Sequence, residues 1–328
     1  MRALISVLCL VVLCACGEPV ELTKWGGWEP IPGPSGAREL WTLAGRSSTE
    51  LWAADTQGQV FRFNGRSWSN LASPVVPGTS TGMRPDLQLV GTRDAFLVTS
   101  YEVFQFEGTV ATSIFKAAAA PHEFFTQAFA LDVNDLWVQV TQGDGKTTVL
   151  RWDGTQLRQV EGSVIPEWGA VADDAWGIQA GDLFHWDGTT WQAQGLSGVR
   201  AVWGTAKDQA WAVGERATLW QWDGTSWRVL AGQPRCANYH ACATFNGVWG
   251  TGPNDLWLVG ESGPGFGGSA YAAIHHWDGQ KLKVVLEYGE KETLTQSRTV
   301  SSLGGVVGFA DAVYAFEGDQ LLRLVTAR

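Results

Sequence analysis

Short segments of alternating hydrophobic and polar residues follow one another along nearly the whole chain, and many end at a turn that contains glycine. The most regular turn has an aromatic residue, then an acidic residue or asparagine, then glycine. Asn-Gly and Asp-Gly between alternating segments are the strongest short signal of a β-hairpin, because both turn residues adopt positive φ. Seven copies occur: Phe63-Asn64-Gly65, Phe106-Glu107-Gly108, Trp152-Asp153-Gly154, Trp186-Asp187-Gly188, Trp222-Asp223-Gly224, Trp277-Asp278-Gly279 and Phe316-Glu317-Gly318.

The residues upstream of each turn repeat as well. An aliphatic residue stands three positions before the aromatic residue, which indicates a strand with apolar side chains on both faces. Further upstream lies an acidic or amide residue, an apolar residue, then Trp or Phe. The copies of this second signature begin at Glu50, Asp94, Asp135, Asp174, Gln209 and Asp255, and the seventh repeat has only Gly304-Gly305-Val306-Val307-Gly308 in its place.

Each repeat therefore contains four short strands, a to d, with tight turns between a and b and between c and d. Successive turn glycines are 34 to 55 residues apart, and a propeller blade takes about 40 to 45 residues. We predict an all-β chain that folds as a single β-propeller with seven four-stranded blades, with six or eight as the alternatives. Trp25-Gly26-Gly27-Trp28 looks like part of the same hairpin and predicts a strand that joins the last blade and closes the ring.

The N-terminus has a different pattern. Positive charge at Arg2 precedes an apolar run, Ala3–Leu13, that is shorter than the roughly 20 residues of a membrane-spanning helix. Leu13-Cys14-Ala15-Cys16 resembles the lipobox of bacterial lipoproteins. The resemblance implies that residues 1–15 are a signal peptide and that Cys16 carries acyl chains, each buried CH₂ of which contributes about 0.8 kcal/mol to membrane binding.

The rest of the chain is then divided into a lipid-anchored segment with the ring-closing strand, 16–36, and the propeller, 37–328. An aspartate directly after the lipidated cysteine favours retention at the inner membrane, and this chain has Gly17 there. We therefore expect the protein to lie in the cell envelope at the outer membrane, in either leaflet. The formal net charge of −10 argues against nucleic acid as a partner and against a membrane contact other than the lipid anchor.

Two cysteines, Cys236 and Cys242, follow the signal segment, and in an exported chain we predict that they form a disulfide. With His240 they could instead bind a metal ion, but a fourth ligand of the usual structural zinc site is missing. His275 and His276 fall on strand c of their repeat, as His185 does in another, so we interpret them as strand residues. We predict no metal site and no cofactor.

The repeat resembles those of Asp-box and kelch-like propellers, and more closely those of the Trp-rich repeat lipoproteins predicted in Gram-negative bacteria. Sialidase-type Asp boxes read S-x-D-x-G-x-T-W, whereas this chain has D-G-T-x-W at Asp187–Trp191 and Asp223–Trp227. The sequence has no match to the arginine triad or the Tyr-Glu pair of sialidases, so we assign none of their catalytic residues to this chain.

In a four-stranded blade the a–b and c–d turns lie on one face of the ring, and the b–c and d–a connections lie on the other. The longest irregular segments all fall on the second face, where variable loops on a rigid scaffold commonly bind ligands. They span 73–86, 141–147, 232–244, 260–271 and 287–298. The candidate binding residues are Arg235, Tyr239, His240 and Phe266, although the glycine-rich segment 260–268 is equally consistent with an insertion that has no function.

These observations favour a non-catalytic binding or scaffold module for an envelope protein or glycan. The alternative is a glycan-active enzyme, a hydrolase or lyase, with its site at the central pore. That enzyme requires carboxylates or histidines that converge from several blades, which a sequence alone does not show.

Overall fold

The computed structural model describes residues 28–71, 85–117, 123–232, 243–262, 271–288, 305–309, 311–317 and 320–325. Its strands, β1 to β28, form seven four-stranded antiparallel sheets, which confirms the predicted seven-bladed propeller. Among the described residues the helical content is one 3-10 turn, Glu215–Ala217, and no helix is long and apolar enough to cross a membrane.

The first six blades each use four consecutive strands. Blade 1 contains β2 Leu40–Ser47, β3 Glu50–Asp55, β4 Val60–Phe63 and β5 Trp68–Asn70, and blade 2 contains β6 Asp86–Val90, β7 Asp94–Val98, β8 Glu102–Glu107 and β9 Val110–Lys116. Blade 3 contains β10 Phe124–Asp132, β11 Asp135–Thr141, β12 Thr147–Trp152 and β13 Leu157–Val160, and blade 4 contains β14 Pro166–Val171, β15 Asp174–Gln179, β16 Asp182–Trp186 and β17 Trp191–Ala193. Blade 5 contains β18 Val199–Ala206, β19 Gln209–Gly214, β20 Leu219–Trp222 and β21 Trp227–Ala231, and blade 6 contains β22 Thr244–Gly252, β23 Asp255–Ser262, β24 Tyr271–Trp277 and β25 Leu282–Tyr288.

Blade 7 contains strands from both ends of the described chain. Its order is β26 Gly305–Gly308, β27 Ala312–Glu317, β28 Gln320–Val325 and then β1 Trp28–Ile31. Trp28 pairs with Leu324, is fully buried, and meets Trp257 of blade 6 edge-to-face at 5.6 Å between ring centroids. The N-terminal strand thus closes the ring.

This closure corrects the interpretation of the seventh repeat. The turn at Phe316-Glu317 joins the second and third strands of blade 7, so it is a b–c connection, whereas the other six copies join c to d. Gly305–Gly308 is the innermost strand a, and strand b begins at Ala312. Strand d of blade 7 comes from the N-terminal side of the chain, so this blade has no c–d turn. Each strand of the seventh repeat is therefore one place earlier in its blade than the sequence pattern predicts.

The core lies between the blades. The first strand of each blade packs beside the first strands of both neighbours, so seven innermost strands surround a central channel. Tryptophans on strand b pack edge-to-face on the next blade, as for Trp137 with Trp186 at 5.2 Å and Trp176 with Trp227 at 4.9 Å. Such pairs add about 0.5–1.5 kcal/mol beyond the burial of their area. The regular spacing of tryptophan in the sequence therefore reflects packing between blades.

Candidate functional site

The propeller has two different faces. The a–b and c–d turns form one, which we call the short-turn face, and the b–c and d–a connections form the other, which we call the loop face. The longest connections between described strands, 71–85, 232–243 and 289–304, all belong to the loop face.

Aspartates of the short-turn face stabilise the turns in which they lie. The Asp187 carboxylate accepts the backbone amides of Thr189 and Thr190 at 2.9 and 2.8 Å, and the Thr189 hydroxyl at 2.7 Å. These donors hold the pKa of Asp187 well below its usual range. Equivalent hydroxyl and amide donors lower the pKa of Asp153 and of Asp223 to about 2. Carboxylates stabilised in this way are turn residues, and they are poor proton donors at neutral pH.

Neighbouring blades are also joined at the short-turn face. The Arg46 guanidinium of blade 1 donates to the Gly91 carbonyl of blade 2 at 3.1 Å. Lys207 of blade 5 pairs with Asp173 of blade 4 at 3.0 Å. The Ser48 hydroxyl of blade 1 donates to Asp311, which precedes strand b of blade 7, at 2.6 Å. These contacts therefore join neighbouring blades through polar side chains of the short-turn face.

Two of the three histidines on strand c, His185 and His276, belong to a recurrent cluster of an acidic residue, a tryptophan and a basic side chain. In blade 3, Arg151 forms two hydrogen bonds with Asp135, at 2.7 and 2.8 Å, and lies 4.7 Å from the Trp137 ring. Blades 4 and 6 place histidine in the same position, where His185 contacts Asp174 at 2.5 Å and His276 contacts Asp255 at 2.8 Å. Each imidazole lies against the tryptophan of its own blade: Trp176 at 4.3 Å and Trp257 at 4.4 Å.

Histidine at position 275 is buried against Phe245, with ring centroids 4.9 Å apart. His185, His275 and His276 are thus strand residues, and the described part of the chain contains no group of three potential metal ligands.

A groove of about 420 Å³ opens on the short-turn face beside blade 3. Four of its five charged groups form two ion pairs: Asp135 with Arg151 at 2.7 Å, and Asp153 with Arg158 at 3.5 Å. A ligand would have to compete with these ion pairs, so the groove is a weak candidate for a site.

The site residues chosen from the sequence lie outside the described residues. These are Arg235, Cys236, Tyr239, His240, Cys242 and Phe266, together with Cys16 near the N-terminus. The structure therefore neither brings them together nor separates them, and their roles stay predictions.

Strained backbone marks the described part of this face. Among the described non-glycine residues, positive φ occurs at Ala180, Arg216 and Ala217, with values of 52°, 59° and 52°. All three lie in b–c connections, in blades 4 and 5, where neighbouring backbone holds them: the Ala217 amide donates to the Ala243 carbonyl at 2.7 Å. Each such residue costs of the order of 1–3 kcal/mol and persists only where its surroundings fix it. The conformation presents the exposed Arg216 side chain on the loop face.

Two acidic residues of different blades lie on the strands that surround the central channel. Asp86 is the first residue of β6, and Glu167 is the second residue of β14, so both lie on innermost strands. Innermost strands run from the loop face toward the short-turn face, which places both residues at the loop-face end of the channel. We call Asp86 and Glu167 the channel-mouth pair.

The Asp86 carboxylate is held by two donors. One oxygen accepts the Ala128 amide at 2.9 Å, and the other accepts the Gln88 side-chain amide at 2.8 Å. Ala128 belongs to the innermost strand of blade 3, whose unpaired edge faces the channel, so this bond directs the carboxylate into the channel. Burial raises the pKa of Asp86, and the two hydrogen bonds oppose the rise.

Glu167 differs from Asp86 because no hydrogen-bond donor or cation among the described residues pairs with it. Its side chain keeps some contact with channel water but is closely surrounded by protein. Burial, and then the negative charge of Asp86, raise the pKa of Glu167 to about 7.

A signal for Glu167 was present in the sequence. Glu167-Trp168-Gly169 aligns in sequence with Val202-Trp203-Gly204 and Val248-Trp249-Gly250, so a charged residue stands in the alignment where other repeats have valine. In the structure the strand bulges between Pro166 and Trp168, and Glu167 is the extra residue of this bulge. The comparison of repeats could therefore have identified this residue.

No protein-family model matches the sequence, and no curated protein matches it. Among solved structures, YCF48 bound to a D1 peptide has a TM-score of 0.63 at 15% identity, over 92% of this chain and 97% of that one. YCF48 from Cyanidioschyzon merolae gives 0.59 at 12%, over 91% and 98%. The WD40 β-propeller domain of Doa1 gives 0.62 at 11%, over 92% and 98%. Likeness at these identities establishes the propeller fold.

Proposed function

We propose that this chain is an exported lipoprotein, anchored at the outer membrane through Cys16, whose propeller binds a protein partner at its loop face and catalyses no reaction. The contrast between the two faces carries the proposal. Arg46, Lys207 and Ser48 of the short-turn face bond to polar groups of neighbouring blades. The loop face combines long connections, strained backbone and Glu167, a carboxylate that no donor or cation among the described residues pairs with.

The structural comparisons support a protein as the partner. One of the similar propellers was solved with a peptide bound to it. Binding at the loops of a rigid ring requires little rearrangement of the scaffold, which lowers the entropic cost of association.

Capture from envelope extract tests the binding face. The mature protein is immobilised beside two loop-face variants, Arg216→Glu and Tyr239→Ala, and a short-turn-face variant, Arg66→Glu. We expect the loop-face variants to lose a partner that wild type and Arg66→Glu retain. Loss of the partner with Arg66→Glu alone would show that the partner binds at the short-turn face, and would contradict the proposal.

Palmitate labelling tests the anchor separately. Wild type should incorporate the label, and Cys16→Ala should not. Equal labelling of both, or of neither, would contradict lipidation at Cys16.

The channel-mouth pair supports a second candidate, a glycan-active enzyme. A carboxyl with a pKa of about 7 is suited to general acid catalysis at neutral pH, and glycosidases use two carboxylates. Release of reducing ends from envelope polysaccharide by wild type, and its loss in Glu167→Gln, would favour the enzyme over the binding module.

A further inference from the structure

We propose that Asn64 is a self-modification site, at which the side-chain amide is converted to a carboxylate after attack by the backbone nitrogen of Gly65. Asn64 lies in the c–d turn of blade 1, between β4 and β5. The inference concerns the short-turn face and does not depend on the partner proposed for the loop face.

The sequence singles out this turn among the c–d turns. Blade 1 has asparagine before the turn glycine, whereas blades 3 to 6 have Asp153, Asp187, Asp223 and Asp278 there. A glycine after asparagine exposes its backbone nitrogen for attack on the side chain, because no Cβ shields it. Conversion of Asn64 would therefore give blade 1 the residue that four other blades already have.

The turn places two donors on the atom that gains negative charge in the reaction. The Oδ1 atom of Asn64 accepts the backbone amides of Arg66 and Ser67 at 3.0 and 2.9 Å. Attack on the side-chain carbon makes this oxygen an oxyanion, and donors already directed at a developing oxyanion lower the barrier. The Asn64 side chain is exposed, so water reaches the reacting group.

The aspartate turns show that the same backbone geometry accepts the product. The Asp187 carboxylate takes the amides two and three residues ahead, at 2.9 and 2.8 Å, as Asn64 does. Hydroxyl and amide donors lower the pKa of Asp153 and of Asp223 to about 2, so these turns favour a negative charge. A carboxylate formed at Asn64 would find its amide donors in place.

The conversion requires water as its only co-reactant. The Gly65 nitrogen loses its proton and bonds to Cγ of Asn64, the bond from Cγ to the side-chain nitrogen breaks, and ammonia leaves. Water then opens the cyclic imide. Cleavage between Cγ and the Gly65 nitrogen gives aspartate, and cleavage between the main-chain carbonyl carbon and that nitrogen gives isoaspartate.

A second copy of the same tripeptide provides an internal control. Phe-Asn-Gly occurs at 63–65 and at 245–247, so the neighbouring residues are alike and only the structure differs. Asn246 is the extra residue of a bulge in β22, and the buried Gly247 pairs with Val259 of the adjacent strand. Ring closure at Asn246 would have to distort this paired strand, so we expect the fold to protect it.

Peptide mapping in heavy-oxygen water tests the inference, because each conversion introduces one labelled oxygen. The full-length mature protein is incubated in mildly alkaline buffer, folded and in urea, and label at Asn64 and Asn246 is followed by mass spectrometry. Asn64→Asp supplies the reference for the product. Asn64→Gln, which would need a larger ring, should leave only the slow reaction at Asn246.

We expect Asn64 of the folded protein to convert at least about tenfold faster than Asn246, and the two to convert at similar rates in urea. Equal rates at the two positions in the folded protein would overturn the inference. So would an Asn64 that the fold slows, relative to urea, as strongly as it slows Asn246. A thermal midpoint of Asn64→Asp at or above that of wild type would support acceptance of the product, and a clearly lower midpoint would contradict it.

Discussion

Glu167→Gln should stabilise the protein in alkaline solution and have little effect in acid. Glutamate in an unfolded chain titrates near its ordinary value of 4.5, whereas the folded pKa of Glu167 is about 7. Between these values the unfolded chain has released its proton and the folded chain still holds it. The folded state therefore loses stability as the pH rises from about 4.5 to about 7, and the loss stays constant above that range.

The magnitude follows from the same two values. A tenfold change in proton affinity is worth about 1.4 kcal/mol, which gives an upper limit of about 3 kcal/mol above pH 7. Because channel water screens part of the charge, we expect about 1–3 kcal/mol. Glutamine is uncharged at every pH, so the variant avoids this loss while it keeps nearly the same shape.

Urea denaturation followed by tryptophan fluorescence measures the effect, since the chain contains 19 tryptophans. The free energy of unfolding of Glu167→Gln should exceed that of wild type near pH 8 and should equal it near pH 4.5. Glu161→Gln, at an exposed position, should follow wild type throughout. A difference between Glu167→Gln and wild type that does not change with pH would refute the reasoning.

Three further outcomes are expected. Trp176→Ala should cost about 3–5 kcal/mol in urea denaturation, as for a buried aromatic side chain, whereas Val229→Ala at an exposed position should stay within about 0.5 kcal/mol; equal effects would contradict packing between blades. Deletion of 17–31 should lower the thermal midpoint and promote self-association because it exposes the edge of β28, and deletion of 17–27 should not; identical behaviour would show that β1 is dispensable. Alkylation before and after reduction should reveal a Cys236–Cys242 disulfide worth about 2 kcal/mol, and two free thiols in the unreduced protein would exclude it.

The blade count could be predicted because the Asp-Gly turns depend on local backbone geometry, which a short sequence specifies. The seventh repeat was assigned incorrectly because Phe316-Glu317-Gly318 has the same local pattern in a different place, and only long-range pairing of β28 with β1 decides which strands it joins. Asp86 and Glu167 are far apart in the sequence and lie on innermost strands of different blades, so no local pattern joins them. The loop residues around Tyr239 were chosen from segment length alone, and segment length does not specify how side chains are arranged.

The closing strand also gives the ring a direction relative to the membrane. Strand d of a blade begins at the short-turn face, so the chain enters the ring at Trp28 on that side, where β1 pairs with the end of β28. Eleven residues separate Cys16 from Trp28, so the tether spans at most about 40 Å when fully extended. With the lipid anchor proposed at Cys16, the short-turn face is then directed toward the bilayer and the loop face toward the surroundings. The strand that completes the last blade would thereby orient the channel mouth outward, toward the molecules that the protein meets.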